Sequence, residues 1–273
     1  MFKRILVPTD GSETAALGAR YAAALAHRVS ATLVGLHVVD VKMLEGPFLR
    51  DLSASLGTAP YVNYQNNIAL LLEERGKSAL AAFEKICSET QVVFETHLTT
   101  GIVAREIVEA ADLADLVVMG RGGEHNAWLE GLLGSTTEAV VRRAKQPVLV
   151  TGTDTPGRTR FVVAYDGSHH SRAALKTAAV IGQEWQMPFH VLGVGEAGIL
   201  NDAQSYLNAH DVQVEYVIRS GEPAEQIVAY AKECQADLLV MGAYGHTKVR
   251  AMVLGSTTAY ATRYAPCPVL LVR

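Results

Sequence analysis

The sequence predicts an α/β protein with two doubly wound, open parallel sheets of five strands each, Rossmann-like and arranged in tandem. Three observations support this fold class: the chain repeats itself, short strands alternate with helical segments, and the strands are apolar along nearly their whole length. Strands buried on both faces have this continuous apolar character, and alternation of strands with helices favours a parallel sheet.

The repeat consists of four blocks that occur twice in the same order. The first copies are residues 5–12, 115–120, 133–137 and 146–150, and the second copies are residues 162–168, 237–242, 254–258 and 267–271. The offset between copies falls from 156 residues, for Asp10 and Asp166, to 121 residues, for Ser135 and Ser256. A duplicated domain with a longer first copy explains both the repetition and the falling offset.

We therefore expect a first domain over residues 1–151, a linker over 152–159 and a second domain over 160–273. Gly152, Pro156 and Gly157 are typical of such a connection. The extra length of the first copy follows Asp40 and runs to about Gln65. Its composition is compatible with a cover over a ligand and equally with a partner surface.

Each element of the first copy has its own justification. Ser12 is a good N-cap for the first helix, in which apolar residues recur at helical spacing. Ser135 and Glu138 have the spacing of a capping box at the last helix. The expected order is strand 4–8, a helix after Ser12, strand 33–39, helix 68–87, strand 92–98, a helix after Gly101, strand 116–119, helix 135–143 and strand 148–150.

Composition and charge exclude several classes of protein. The net charge is −4, from 24 basic and 28 acidic residues, so no basic surplus favours nucleic acid or anionic lipid. Three cysteines without a CxxC pair support neither a disulfide framework nor a zinc ribbon. The apolar run near the N-terminus is too short for a secretory signal, and the uncharged run 52–72 is interrupted by polar residues. We expect a soluble, cytoplasmic protein.

The carboxyl ends of the strands are the places to look for a ligand site, because open α/β sheets bind there. Glycines follow the fourth strand of each copy and precede its last helix. Glycine lets backbone N–H groups approach anionic oxygens, and a helix N-terminus favours negative charge. The same glycines could equally serve only as tight turns, with the serine as a helix cap.

These residues resemble the universal stress protein family in its tandem form. Nucleotide-binding members of that family have the pattern Gly-x2-Gly-x9-Gly-[Ser/Thr] after the fourth strand. The second copy matches it with Gly242, Gly245, Gly255 and Ser256. The first copy departs from it, because ten residues instead of nine separate Gly123 from Gly134.

The resemblance implies a role for each matching position. Adenine contacts fall to Pro8, Thr9, Asp10 and Val38 in the first copy, and to Ala164, Tyr165, Asp166 and Val194 in the second. Ribose and phosphate contacts fall to Gly120, Arg121, Gly122, Gly123, Gly134, Ser135, Thr136 and Thr137, and to Met241, Gly242, Ala243, Gly245, His246, Gly255, Ser256, Thr257 and Thr258. Asp10 and Asp166 also have a purely structural interpretation, as residues that turn the corner from strand to helix.

Several histidines and cations have two interpretations. The pair His169–His170 indicates an exposed helical turn rather than a metal site, and His37 indicates a buried core histidine with a partner. His125 and His246 either donate to phosphate or lie in solvent. Arg121 and Lys248 either add charge near a triphosphate or point to water.

The expected function is binding of ATP, or of ADP or AMP, in a stress response that acts through conformation or partner choice. The resemblance allows Mg²⁺ to accompany the phosphates. No Walker, HExxH or GxSxG motif is present, and no residue is an obvious base, so at most slow ATP hydrolysis is expected. The alternative is an interaction scaffold without nucleotide. The apolar last strands, 148–150 and 269–272, predict edge pairing, either between the two copies or across a homodimer.

Overall fold

The computed structural model describes residues 2–45, 61–122, 133–153, 155–157, 159–245 and 254–273. Within these residues the chain forms ten strands and nine α-helices. The strands are β1 (Arg4–Pro8), β2 (Thr32–Asp40), β3 (Phe94–Gly101), β4 (Leu116–Gly120), β5 (Val148–Thr151), β6 (Phe161–Ala164), β7 (Phe189–Val194), β8 (Val214–Arg219), β9 (Leu238–Gly242) and β10 (Val269–Val272). The helices are α1 (Glu13–Val29), α2 (Val41–Glu45), α3 (Tyr61–Glu89), α4 (Val103–Ala111), α5 (Ser135–Arg143), α6 (His169–Trp185), α7 (Asn201–Leu207), α8 (Pro223–Glu233) and α9 (Ser256–Tyr264).

All ten strands join in one sheet of order β3-β2-β1-β4-β5-β10-β9-β6-β7-β8. Every pairing is parallel except that of β5 with β10, which is antiparallel and places Leu149 opposite Leu270. We call β1–β5 with their helices the N-terminal half, and β6–β10 with theirs the C-terminal half. The expected α/β class and the parallel pairing are confirmed, but the two sheets are continuous rather than separate. The apolar last strands thus pair with each other inside one chain.

Helices cover both faces of this sheet. One layer is formed by α1, α3, α6 and α7, and it buries Phe83, Phe161 and Phe189 almost completely. The other layer is formed by α4, α5, α8 and α9, and it packs against the opposite side chains of the same strands. Successive residues of β1 show this division, since Ile5 faces the first layer and Leu6 the second. Burial on both faces explains the continuous apolar character of the strands.

Two aspartates at corresponding places in the repeat fasten the central strands. In the N-terminal half, Asp115 Oδ2 accepts hydrogen bonds from the backbone N–H groups of Lys3 and Arg4, at 2.7 and 2.9 Å. In the C-terminal half, Asp237 Oδ2 accepts one from the N–H group of Thr159, at 2.6 Å. This part of the repeated sequence is therefore structural.

Some element boundaries differ from the expected ones. Helix α3 begins at Tyr61 rather than residue 68, so the added length of the first copy contains a helix, α2, and the start of another. Strand β3 begins at Phe94 rather than residue 92, because Gln91, with φ of 55°, turns the chain after α3. The prediction of a capping box at Ser135 is wrong, because the N-cap of α5 is Gly134, which has no side chain to form a cap.

Candidate functional site

A cleft of about 360 Å³ opens at the carboxyl ends of β1, β2 and β4. Strand β1 lies between β2 and β4, so the connections from β1 and from β4 leave in opposite directions here. Ligands of open α/β sheets bind at such a point. The strands and the loops after them contribute Pro8, Thr9, Asp10, Leu36, His37, Val38, Val39, Asp40, Met119, Gly120 and Gly122, and the helices and their caps contribute Ala15, Met43, Leu72, Arg75, Val103, Ile107, Gly134, Ser135, Thr136 and Thr137.

The corner after β1 is built by side-chain caps. The N–H group of Ser12 donates to Asp10 Oδ1 at 2.9 Å, and Ser12 Oγ accepts from the N–H group of Ala15 at 3.1 Å. Ser12 is therefore the N-cap of α1, as the sequence predicts. The structural role foreseen for Asp10 is present, and the same residue also lines the cleft. In the C-terminal half the N–H group of Ser168 donates to Asp166 Oδ1 at 3.0 Å, as Ser12 does to Asp10.

His37 is buried beside this corner. Its Nδ1 atom lies 2.8 Å from the carbonyl oxygen of Thr9. A carbonyl oxygen only accepts, so Nδ1 carries a proton and donates it. A Cβ atom at Gly76 of α3 would lie 2.6 Å from the His37 ring, which explains a glycine inside that helix. The prediction of a buried, hydrogen-bonded His37 is confirmed.

The glycine loop after β4 is held by two threonine hydroxyls. Thr14 Oγ1 donates to the carbonyl of Gly122 at 2.8 Å, and Thr137 Oγ1 donates to that of Gly120 at 3.2 Å. A Cβ atom at Gly120 would lie 2.3 Å from the backbone oxygen of Thr14. The loop therefore runs tightly against α1, and its backbone borders the cleft.

The N-terminus of α5 faces the cleft without a side-chain cap. The N–H group of Gly134 donates to the carbonyl of Arg121 at 3.0 Å. Ser135 is exposed and Thr136 half-buried. The first N–H groups of a helix have no partner within it, and the helix dipole adds positive potential there. The cleft thus presents backbone donors to an anion.

Arg121 does not contribute its charge to the cleft. Its Nη2 atom donates to the carbonyl oxygens of Ala265 and Cys267, at 2.6 and 2.9 Å, in the C-terminal half. Burial lowers the pKa of this guanidinium. The interpretation of Arg121 as a phosphate contact is therefore corrected for its side chain, and its carbonyl instead accepts from the N–H group of Gly134.

The C-terminal half repeats the site's framework. The N-cap of α9 is Gly255, again without a side-chain cap, and Thr258 Oγ1 donates to the carbonyl of Gly242 at 3.2 Å. Tyr165, which corresponds to Thr9, is 3% exposed and packs into the core, so only its main chain remains at the edge. The remaining expected positions lie at the same edge: Ala164, Asp166, Val194, Met241, Ala243, Gly245, Ser256 and Thr257. Gly123, His125, His246 and Lys248 lie outside the described residues.

Sequence reasoning missed three cleft residues in and just after the added segment: Met43 of α2, and Leu72 and Arg75 of α3. Nothing in the second copy corresponds to them, so the repeat gave no indication of their position. Their place shows that the described flanks of this segment, in α2 and α3, border the cleft.

The histidine pair at the start of α6 only partly fits its prediction. His169 is exposed, but His170 is half-buried, with its ring centroid 5.4 Å from that of Tyr244. Burial, followed by the charges of His169 and Arg273, lowers the pKa of His170. Among the described side chains, no group of three or more His, Cys, Asp or Glu residues is arranged to hold a metal ion. The described helices include none that combines the length and apolarity needed to cross a bilayer.

Comparisons with known proteins agree with this architecture. Universal stress protein Slr1230 from Synechocystis is 29% identical over 286 residues, which cover 99% of this chain and 100% of the relative. Universal stress protein MJ0531 from Methanocaldococcus jannaschii is 36% identical over 153 residues, covering 55% of this chain and 82% of the relative. The crystal structure of a universal stress protein from Archaeoglobus fulgidus superposes with a TM-score of 0.77 at 24% identity, covering 99% of this chain and 98% of that one.

The sequence model of the universal stress protein family matches residues 1–152 and 194–273, which together are most of the chain. Both matched segments include a glycine loop, an uncapped helix N-terminus and a last strand of the central junction. The chain belongs to the universal stress protein family.

Proposed function

We propose that this protein binds an adenine nucleotide, ATP in the first instance, at the carboxyl edge of its sheet and acts through nucleotide-dependent conformation or partner choice. The observation that carries the proposal is the uncapped N-terminus of α5 facing a cleft of about 360 Å³ beside the Gly120–Gly122 backbone. A volume of this size is within the usual range for small-molecule and cofactor sites.

The phosphate end of the site uses backbone donors. Among the described residues that line the cleft, Arg75 is the one lysine or arginine. The N–H groups of Ser135 and Thr136 and the hydroxyls of the same residues supply the donors for terminal phosphates. This explains how a chain of net charge −4 accommodates a polyanion.

The opposite end of the cleft suits a flat base. Leu36, Val38 and Val39 of β2 line it together with Met43 and Leu72. Apolar walls bury the base, while the backbone of β2 beyond Leu36, where its pairing with β1 ends, offers hydrogen bonds to the edge of the base. The resemblance of these positions to those of the family implies that the base is adenine.

The C-terminal half is proposed as a second nucleotide site, at Gly242–Gly245 and Gly255–Thr258. We keep the division into domains 1–151 and 160–273 with the linker 152–159. Mg²⁺ would be held through the phosphates, with the Ser135 and Ser256 hydroxyls at the helix N-termini as candidate ligands from the chain. A cytoplasmic location and a homodimer remain part of the proposal.

A negative charge introduced at the N-terminus of α5 tests the proposal. Thr136→Glu places a carboxylate at the second residue of α5, where the dipole makes an acidic side chain stabilising. It should therefore leave the fold intact and repel phosphate, lowering the affinity of the N-terminal site for Mg·ATP at least tenfold. Thr136→Gln, with the same shape and no charge, is the matched control and should bind within about threefold of the wild type.

Isothermal titration calorimetry on protein stripped of co-purified nucleotide gives the measurement. Nucleotide binding would be refuted if titration of the wild type with Mg·ATP gave no binding heat and Mg·ATP also left its melting temperature unchanged. The scaffold alternative would then stand. Phosphate release above background by the wild type would instead favour slow hydrolysis.

A further inference from the structure

The junction between the two halves is crossed by side chains from the loops that border the proposed sites. We call residues 121–122 the β4 loop and residues 243–245 the β9 loop. From the β4 loop, Arg121 donates to the carbonyls of Ala265 and Cys267, just beyond the end of α9. From the β9 loop, the Tyr244 hydroxyl donates to the carbonyl of Arg142, in the last turn of α5, at 2.9 Å. Each loop therefore holds the C-terminal end of the other half's phosphate-binding helix.

The C-terminal end of α5 has a second anchor. Arg273 Nη1 donates to the carbonyls of Arg142 and Arg143, at 3.1 and 3.2 Å. Its guanidinium carbon lies 5.7 Å from the centroid of the Tyr244 ring. The last carbonyls of a helix lack partners within it and form the negative end of its dipole. A cation and a hydroxyl from the C-terminal half therefore satisfy the end of α5.

Arg121 also reaches the N-terminal end of α5. The Arg121 carbonyl accepts from the N–H group of Gly134, the N-cap of α5. Thr137 of α5 and Thr258 of α9 donate to the carbonyls of Gly120 and Gly242. A helix of nine residues is only about 13 Å long, so a shift at one end is passed to the other. Loop, helix and junction therefore form one hydrogen-bonded unit in the N-terminal half, and in the C-terminal half Thr258 ties α9 to the end of β9, directly before the loop that carries Tyr244.

We propose that the two nucleotide sites are energetically coupled, with Arg121 and Tyr244 as the positioning residues that transmit the coupling across the junction. The inference rests on the proposed function of both halves. A nucleotide that orders the β4 loop and the start of α5 also fixes the Arg121 side chain on the end of α9. By the reciprocity of binding free energies, occupancy of the C-terminal site has the same effect on the N-terminal one.

Arg121 is suited to this task because its environment tolerates little displacement. Among the described residues its side chain donates to two carbonyl oxygens, and its Nε atom is buried there without a hydrogen-bond partner. A buried cation held by neutral acceptors loses most of its compensation when those distances lengthen. A small movement of the β4 loop therefore changes the energy of the junction.

Single-site variants make the coupling measurable. Thr257→Glu disables the C-terminal site and Thr136→Glu the N-terminal one, each at the second residue of its helix. Titration of the two variants with Mg·ATP gives the two separate affinities, and titration of the wild type gives them combined. We expect the wild-type isotherm to require a coupling factor of about fivefold or more.

Substitution of the positioning residues should remove that factor. Arg121→Met keeps the length of the side chain without its donors, and Tyr244→Phe removes a single hydroxyl and serves if Arg121→Met unfolds. Both should bring the factor to about one, and Arg121→Lys should restore part of it. Arg143→Met, an exposed arginine at the same end of α5, is the control and should leave the factor unchanged.

Two outcomes would overturn the coupling. One is a wild-type isotherm that the two separate affinities reproduce within twofold. The other is a coupling factor that persists in both Arg121→Met and Tyr244→Phe. If no variant and no wild-type protein binds Mg·ATP, the proposed function fails, and hydrogen exchange decides on the coupling. Arg121→Met should then speed amide exchange in residues 133–137 as well as 256–265, and a change confined to 256–267 would overturn the inference.

Discussion

Replacing Gly120 by alanine tests whether the repeated glycines are required by the fold itself. An added Cβ would lie 2.3 Å from the backbone oxygen of Thr14, well inside the closest distance that real Cβ atoms adopt. The atom it meets belongs to the first turn of α1, so relief requires that helix to move by roughly 1 Å from β4. Helix α1 buries eight residues against the sheet, and such overpacking costs about 3 kcal/mol.

Two other glycines supply a graded comparison. At Gly242 the added Cβ would lie 2.8 Å from His170 Cβ and 2.9 Å from the backbone of the same turn, so Gly242→Ala should cost less than Gly120→Ala. At Gly152 the nearest atom is 3.5 Å away, an ordinary contact, and Gly152→Ala should stay within about 0.5 kcal/mol of the wild type.

The assay is urea denaturation, with the melting temperature as a second readout. A loss of about 3 kcal/mol corresponds to a fall of roughly 6–12 °C for a protein somewhat smaller than this one. All three variants are measured without nucleotide, so that a lost ligand does not enter the comparison. If Gly120→Ala were as stable as Gly152→Ala, the close packing of α1 on β4 would be refuted, and a ligand-binding role would be the better reason for that glycine.

Further predictions concern the strand anchors and the response to pH. Asp237→Ala removes the acceptor of the Thr159 N–H and Oγ1 groups and should destabilise the protein by about 1–2 kcal/mol in urea denaturation, with Asp211→Ala as an exposed control that should cost less than 0.5 kcal/mol. Burial lowers the pKa of His190, against the weaker opposing attraction of Glu215, and burial also lowers that of His170. Between the lowered folded values and the unfolded value of about 6.5 the unfolded chain binds more protons, so the unfolding free energy should fall as pH drops from about 7 to 5. His190→Gln should flatten this slope, and an equal slope in that variant would contradict the assignment.

The repeat made much of the architecture predictable. Each half has five apolar strands that must be buried on both faces, and this determined the parallel sheet and the two helical layers. The short last strands also predicted the edge pairing. What could not be predicted was whether 148–150 would meet 269–272 within one chain, because edge strands expose the same backbone groups to any partner.

The candidate site was predictable where its geometry follows from local rules. Ser12 and Asp10 cap and turn a corner over a few residues, and both behave as their positions suggest. Arg121 was misjudged because its partners, Ala265 and Cys267, lie more than 140 positions away. Ser135 was misjudged as a cap because the helix starts one residue earlier than expected: the carbonyl of Gly134 accepts from the N–H group of Glu138, which makes Gly134 the N-cap. The Arg121 error arises from contacts that only the folded chain brings together, whereas the Ser135 error is a shift of one residue at a helix boundary.

The antiparallel pairing of β5 with β10 within one chain also determines which halves are paired: each N-terminal half pairs with a C-terminal half. If the two halves were made as separate chains, a mixture of them would contain three kinds of pair: two pairs of like halves and one pair of unlike halves. Here residues 152–160 tie the two unlike halves together, and a short tether holds them at an effective concentration on the order of millimolar. The stoichiometry of one to one is therefore guaranteed by synthesis. Each half is free to specialise, one keeping the long segment between α2 and α3 and the other the compact form, without risk of a mismatched assembly.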